Sequence, residues 1–100
     1  MSTIEQVPAP EWQTWIEANQ GTLLDVREPH EWALGTLPGA VQISMGEIPD
    51  RLQELVDETA VLVVCRSGAR SQQVGVYLAM NGIATVANLA GGMKALGMQD

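Results

Sequence analysis

The chain has 100 residues, 46% of them hydrophobic, which is the size and composition of one globular domain, and we treat residues 1–100 as a single domain. A net charge of −7 argues against a nucleic-acid-binding surface, and no stretch approaches the roughly 18 apolar residues of a membrane span. The single cysteine excludes an intramolecular disulfide, and the first residues lack a signal-peptide pattern, so we expect a cytoplasmic protein.

The first half of the chain alternates short apolar runs with helical patterns. The run from Ile4 to Val7 predicts an edge strand that ends at two prolines. Trp12, Trp15 and Ile16 follow with helical spacing, which predicts a helix with its tryptophans in the core. The next predicted elements are a strand over 22–26, a loop with one or two helical turns over 27–34, and a minimal strand over 41–43.

The second half continues the same alternation. Ile48, Leu52, Leu55 and Val56 recur at i, i+4, i+7 and i+8, which predicts an amphipathic α-helix with solvated charges on its outer face. The remaining predicted elements are a strand over 60–64, a helix ending at 81–82, a strand over 84–89 and a short final turn. Strands alternating with helices at this density predict an α/β fold, with a mainly parallel sheet flanked by helices on both faces.

Cys65 stands where the apolar run over 61–64 ends and a polar loop begins. Open α/β sheets bind ligands at the carboxyl ends of their strands. Gly68, Ala69 and Arg70 lie where the next helix should start, and the first turn of a helix presents unpaired N–H groups. Gly68 also lets the loop curl around an anion. The pattern favours a reactive thiolate; the alternative is a buried cysteine acting as a small hydrophobe.

Arg66 and Arg70 place two of the five Lys and Arg residues of this acidic chain beside Cys65. They predict a local site for a small anion and should lower the pKa of the thiol further. The alternative is that both are solvated loop charges. Ser67 is either a side-chain hydrogen-bond donor to the sulfur or an ordinary turn residue.

Three more polar side chains bear on the predicted site. Asp25 and Arg27 end the neighbouring strand and should point toward the same edge of the sheet. His30 is the only histidine, but a preformed thiolate needs no general base, so we expect it to be exposed and structural.

Four ordered segments share a pattern with a known family: LDVRE at 24–28, GTLPGA at 35–40, VCRSGARS at 64–71 and LAGGMKAL at 89–96. Together they resemble a single-domain rhodanese along nearly the whole chain. Thr36 and Leu96 depart from the pattern, which usually has His and Trp at these positions. The departures concern the edge of the cleft and the closing of the C-terminal segment, not the residues of the chemistry.

The resemblance implies a five-stranded parallel sheet and a double-displacement sulfur transfer without metal or organic cofactor. Cys65 would take the outer sulfur of thiosulfate or a similar small anionic donor and hold it as a persulfide. The N–H groups of the loop formed by Arg66, Ser67, Gly68, Ala69 and Arg70 would cradle that sulfur, with Ser71 in support. Cyanide, a thiol or a protein would accept it. The resemblance also places Asp25 and Arg27 near the cleft, either as a loop brace or, for Arg27, as a substrate contact.

Two rival functions remain at this stage. One is a persulfide carrier or regulatory binding module with little free turnover. The other is phosphatase or arsenate reductase chemistry, in which the arginine is the seventh residue counted from the cysteine and the loop wraps a tetrahedral oxyanion. Here Arg70 is the sixth residue and Ser71 the seventh, and a tighter loop suits one sulfur atom. Sulfur transfer therefore ranks first.

Overall fold

The computed structural model describes residues 4–98. Within that range the strands are β1 (Glu5–Pro8), β2 (Thr22–Asp25), β3 (Val41–Gln42), β4 (Ala60–Val64) and β5 (Thr85–Ala90). The α-helices are α1 (Trp12–Asn19), α2 (Pro29–Trp32), α3 (Ala69–Met80) and α4 (Gly92–Ala95), and 3₁₀ turns occupy Ala9–Glu11, Met45–Glu47 and Pro49–Glu54.

The five strands form one sheet in the order β1-β5-β4-β2-β3, and every described pairing is parallel. The predicted α/β class is confirmed, and so is the position of β1 at an edge. The apolar strand β4 lies at the centre, between β5 and β2. Because all strands run in one direction, the residues that follow β2, β4 and β5 meet at the same edge of the sheet.

Each face of the sheet packs into its own apolar core. Along β4, Val61 and Val63 belong to the core beneath α3, whereas Leu62 and Val64 belong to the core that holds Trp15 of α1. The alternation follows from the period of two along a strand, which sends successive side chains to opposite faces. All five residues of β4 are buried, as the apolar run predicts.

The predicted amphipathic α-helix over 48–56 is wrong. The segment forms 3₁₀ turns, and Arg51 interrupts them with non-helical dihedrals (φ −115°, ψ 15°). Ile48 and Leu55 enter the core as expected, but Val56 is 45% exposed. The turns close through i→i−3 bonds such as Leu55 N–H to Leu52 O at 2.9 Å. Apolar residues three or four apart fit either helix type, so their spacing does not separate the two.

Candidate active site

Cys65 follows β4 directly, and α3 begins four residues later, so the loop between them joins the central strand to a helix N-terminus. Gly68 caps that helix with φ +104°, a conformation that glycine adopts without the steric cost of a side chain. The cysteine is 1% exposed and packs beside the core under α3. The strand-end position and the curled loop that the sequence predicts are both present.

The sulfur of Cys65 is surrounded by hydrogen-bond donors from the loop and the first turn of α3. The Gly68 N–H lies 3.1 Å from Sγ, and the Ser71 hydroxyl lies 3.3 Å from it. Burial raises the pKa of the Cys65 thiol, but hydrogen bonds from the Ser71 hydroxyl and from the N–H groups of Ser71, Gly68 and Ser67 outweigh it. The pKa of the thiol therefore lies below its ordinary value, which favours the thiolate.

The two serines contribute to the site in different ways. Ser67 is exposed and acts on Cys65 through its backbone N–H, whereas the side-chain donor to the sulfur is the buried Ser71. Hydrogen bonds, rather than the neighbouring arginines, are the leading causes that lower the pKa of the thiol. Geometry explains this, since the donors reach Sγ itself while Arg70 points its guanidinium at another partner.

That partner is Glu31 of α2, a residue that the sequence did not single out. Arg70 Nη1 and Nη2 donate to the two carboxylate oxygens of Glu31 at 2.7 and 2.9 Å. The hydrogen bond from Arg70 is the largest cause that lowers the pKa of Glu31 from 4.5 to about 2. Glu31 raises the pKa of Arg70 in turn, and the charge on Cys65 raises it further. Arg70 therefore ties the active-site loop to α2 while its charge remains coupled to the thiolate. Arg66, in the loop itself, is exposed.

Asp25 and Arg27 form a buried ion pair at the end of β2. The guanidinium of Arg27 donates to both carboxylate oxygens of Asp25, with Nη2 to Oδ2 at 2.8 Å. It also donates to the backbone carbonyls of Glu31 (3.3 Å) and Gly35 (2.7 Å). Arg27 is 1% exposed and Asp25 is fully buried. Of the two alternatives left open by the sequence, these contacts support the loop brace, and the braced segment is the one that carries Glu31.

Asn88 and Gln6 form a second polar layer behind Ser71, and the sequence did not indicate either residue. The Ser71 hydroxyl donates to Asn88 Oδ1 at 2.5 Å, and Asn88 Nδ2 donates to Gln6 Oε1 at 2.9 Å. Gln6, Asn88 and Val63 pair across β1, β5 and β4, so their side chains leave the same face of the sheet as Cys65. The one available signal was a buried-strand position held by an asparagine among apolar residues.

The start of α4 supports the active-site loop from behind. The N–H groups of Met93 and Lys94 donate to the carbonyls of Cys65 and Arg66 at 2.9 and 3.0 Å. Gly92 has φ +63°, and a Cβ placed there would lie 2.5 Å from each of those carbonyl oxygens. The second glycine of the GG pair is therefore needed for this close approach.

The described residues contain no group of three or more His, Cys, Asp and Glu side chains that could hold a metal ion. His30 is exposed on α2, as expected. Across residues 4–98, none of the helices has the length and apolar content needed to cross a bilayer.

The sequence model of the rhodanese-like domain matches residues 9–99 of the chain. The chain belongs to the rhodanese-like family. A sulfurtransferase of Allochromatium vinosum is 45% identical over 73 residues, which are 73% of this chain and 68% of the relative. The thiosulfate sulfurtransferase GlpE of Pseudomonas paraeruginosa is 30% identical over 94 residues, covering 94% of this chain and 86% of the relative.

Solved rhodanese-like structures share the fold. The crystal structure of a rhodanese-like domain protein from Staphylococcus aureus superposes with a TM-score of 0.84 at 35% identity, and the match covers 96% of this chain and 94% of that one. The family resemblance inferred from the four sequence segments is confirmed. Leu96, one of the two departures from the rhodanese pattern, packs against the core under α1. The C-terminal segment is therefore anchored to that core by a leucine instead of the usual Trp.

Proposed function

We propose that this rhodanese-like chain is a sulfurtransferase that carries sulfane sulfur on Cys65. The observation that carries the proposal is the set of hydrogen bonds to Cys65 Sγ at the N-terminus of α3. The Gly68 N–H donates to Sγ at 3.1 Å and the Ser71 hydroxyl at 3.3 Å. These donors match a large, singly charged sulfur atom, and they stabilise a thiolate without a general base. The sulfurtransferase names of the relatives support the same function.

The first half-reaction uses the thiolate of Cys65 as the nucleophile. The thiolate attacks the outer sulfur of thiosulfate, a new S–S bond forms, and the S–S bond of thiosulfate breaks with its electron pair leaving on sulfite. The total charge of −3 is the same on both sides, because the negative charge of the thiolate moves to the outer sulfur of the persulfide. Arg66 and Arg70 attract the anionic donor and stabilise the departing sulfite. No proton or electron from a cofactor is required.

The second half-reaction returns Cys65 to the thiolate. Cyanide or a thiolate attacks the outer sulfur and removes it as thiocyanate or as a new persulfide. Cys65 is the only cysteine in the sequence, so no second thiol of the chain can take the sulfur. The acceptor is a separate molecule, and the reducing conditions of the cytoplasm keep Cys65 in the form that the cycle needs.

Thiosulfate is the donor that we favour, because a GlpE relative that shares 94 aligned residues with the chain carries that name. The spacing from Cys65 to Arg70 separates this chemistry from that of the cysteine-dependent phosphatases. Both Nη atoms of Arg70 are paired with the carboxylate of Glu31, so they do not wrap phosphate oxygens, and the charge of Arg70 acts on the site without direct contact.

The test is formation of thiocyanate from thiosulfate and cyanide by the wild-type chain, the Cys65→Ala variant and a matched surface control, Asn81→Ala. We expect turnover by the wild type and the control and none by Cys65→Ala. Slow thiocyanate formation together with rapid sulfur transfer from a cysteine desulfurase would favour a persulfide carrier over a freely turning-over enzyme. Hydrolysis of an aryl phosphate that depends on Cys65, without thiocyanate formation, would overturn the proposal.

A further inference from the structure

The Ser71 hydroxyl has one proton and two acceptors. Ser71 is fully buried, and its Oγ lies 2.5 Å from Asn88 Oδ1 and 3.3 Å from Cys65 Sγ. A hydroxyl donates only one proton, so it can serve the amide oxygen or the sulfur at a given moment, but not both. The shorter contact is with Asn88, while the charged contact is with the thiolate.

The amide of Asn88 cannot turn to resolve this competition. Its Nδ2 donates to the carbonyl oxygen of Gly68 at 3.3 Å and to Gln6 Oε1 at 2.9 Å. The Gly68 carbonyl is only an acceptor, so the Nδ2 side of the amide must face it. Gln6 Nε2 in turn donates to Gln72 Oε1 at 2.6 Å, which holds the Gln6 amide in its orientation. Asn88 Oδ1 therefore faces Ser71 permanently, as an acceptor.

The proposed sulfur transfer moves negative charge between two sulfur atoms. In the free protein the charge is on Sγ, and a charge-assisted hydrogen bond from Ser71 is stronger than a neutral one. In the persulfide the charge is on the outer sulfur, and Sγ is a neutral divalent sulfur that accepts hydrogen bonds weakly. The Ser71 proton then has a better acceptor in Asn88.

We propose that Asn88 is a positioning residue that accepts the hydrogen bond of the Ser71 hydroxyl when Sγ is neutral and releases it when Sγ is the thiolate. The role of Asn88 in the persulfide state rests on the proposed function. Its role in the thiol and thiolate states does not depend on sulfur transfer. Asn88 acts through Ser71 and does not touch the sulfur. By accepting this hydrogen bond when Sγ is neutral, it stabilises the neutral form of Sγ and so favours transfer of the thiolate charge to the incoming sulfur.

The consequence is a coupling between two residues that a merely structural role would not produce. If Asn88 is truncated, the Ser71 hydroxyl donates only to Sγ, and the pKa of Cys65 falls. If Ser71 is absent, no proton is shared, and truncation of Asn88 leaves the pKa unchanged. Simple loosening of the loop would instead raise the pKa, because the backbone donors would leave the sulfur.

The test is the pH dependence of Cys65 alkylation by iodoacetamide in the wild type, Asn88→Ala, Ser71→Ala and the double variant. We expect Asn88→Ala to lower the pKa by about one unit and Ser71→Ala to raise it by about one unit. In the Ser71→Ala background, Asn88→Ala should produce no shift. A raised pKa in Asn88→Ala, or the same shift in both backgrounds, would overturn the assignment. The exposed Asn81→Ala serves as the matched control, with an unchanged pKa.

Asn88→Asp gives a second reading if the alanine variant fails to fold, because the aspartate keeps the size of the side chain. Its carboxylate is a stronger acceptor for the Ser71 proton, so the pKa of Cys65 should rise, and rise less in the Ser71→Ala background. Equal rises in the two backgrounds would contradict the inference. Alkylation needs no sulfur donor, so this test is separate from the test of the proposed function. Absence of the coupling with persulfide formation on Cys65 would refute only the role of Asn88. Presence of the coupling without persulfide formation would refute only the sulfur transfer.

Discussion

The ion pair between Glu31 and Arg70 joins α2 to the first turn of α3, and it gives a prediction whose size follows from the structure. The change is Glu31→Gln, which removes the charge but keeps an oxygen for the backbone N–H of Glu28 that Glu31 Oε1 accepts at 2.9 Å. The two-pronged bond to Arg70, at 2.7 and 2.9 Å, is lost as an ion pair. We expect a less stable protein with a looser active-site loop.

The magnitude comes from the pKa of Glu31, which is lowered from 4.5 to about 2 with the hydrogen bond from Arg70 as the largest cause. A shift of that size corresponds to about 3 kcal/mol of free energy of unfolding at neutral pH, by the linkage between protonation and folding. The side chain of Arg70 is 32% exposed, so solvent screens the pair, and we expect about 2 kcal/mol. Because the folded pKa lies below the unfolded one, this stabilisation is fully present above about pH 4.5 and is lost as the pH falls toward 2.

The assay is urea unfolding of the wild type and Glu31→Gln at several pH values between 3 and 7. The difference in free energy of unfolding should be about 2 kcal/mol at pH 7 and less than half of that near pH 3. Glu54→Gln is the matched control, since Glu54 pairs with Arg51 on the exposed surface and its loss should change stability little. A difference that stays constant across this pH range would refute the argument from charge.

Three further predictions concern the framework of the site. Gly92→Ala should lower the free energy of unfolding by about 3 kcal/mol in urea titrations, because its Cβ would meet two loop carbonyls at 2.5 Å in a backbone with φ +63°. Asp25→Asn should cost about 3–5 kcal/mol in the same assay, because it leaves the buried Arg27 without its counter-charge. The rate of Cys65 alkylation, followed against pH, should reach half its maximum below the ordinary thiol pKa of 9.0, because hydrogen bonds to Sγ outweigh its burial.

Each of these has its own contrary result. An unchanged urea midpoint in Gly92→Ala would mean that α4 does not press on the active-site loop. A loss below about 1 kcal/mol in Asp25→Asn would mean that water reaches the guanidinium of Arg27. An alkylation profile centred at or above the ordinary thiol pKa would mean that burial, not hydrogen bonding, governs Cys65.

The sheet and the position of the nucleophile were predictable because they depend on local pattern. An unbroken apolar run such as β4 has few alternatives to a central parallel strand, and a polar loop with a glycine after it implies a turn into a helix. The 3₁₀ segment at Pro49–Glu54 was not predictable in the same way, since its apolar spacing suits an α-helix equally well. There the non-helical backbone at Arg51 interrupts the helix.

The second layer of the site lies beyond the reach of local pattern. Asn88 and Gln6 are 82 residues apart and meet through the parallel register of β1 and β5, whereas Arg70 and Glu31 are 39 apart and meet where α3 begins beside α2. The charge of Arg70 is evident from the sequence, but its partner Glu31 is not. Polar residues inside strands are informative only after the neighbouring strands are known, as the alignment of Gln6, Asn88 and Val63 across the sheet illustrates.

The central claim is that Cys65 carries the sulfur, and intact-protein mass spectrometry after treatment with thiosulfate tests it most directly. The account predicts a mass increase of one sulfur atom on the wild-type chain, located at Cys65 by peptide mapping and removed by cyanide with release of thiocyanate. Cys65→Ala should show no increase under the same conditions. A wild-type protein whose mass is unchanged, or an adduct that persists in Cys65→Ala, would contradict the account.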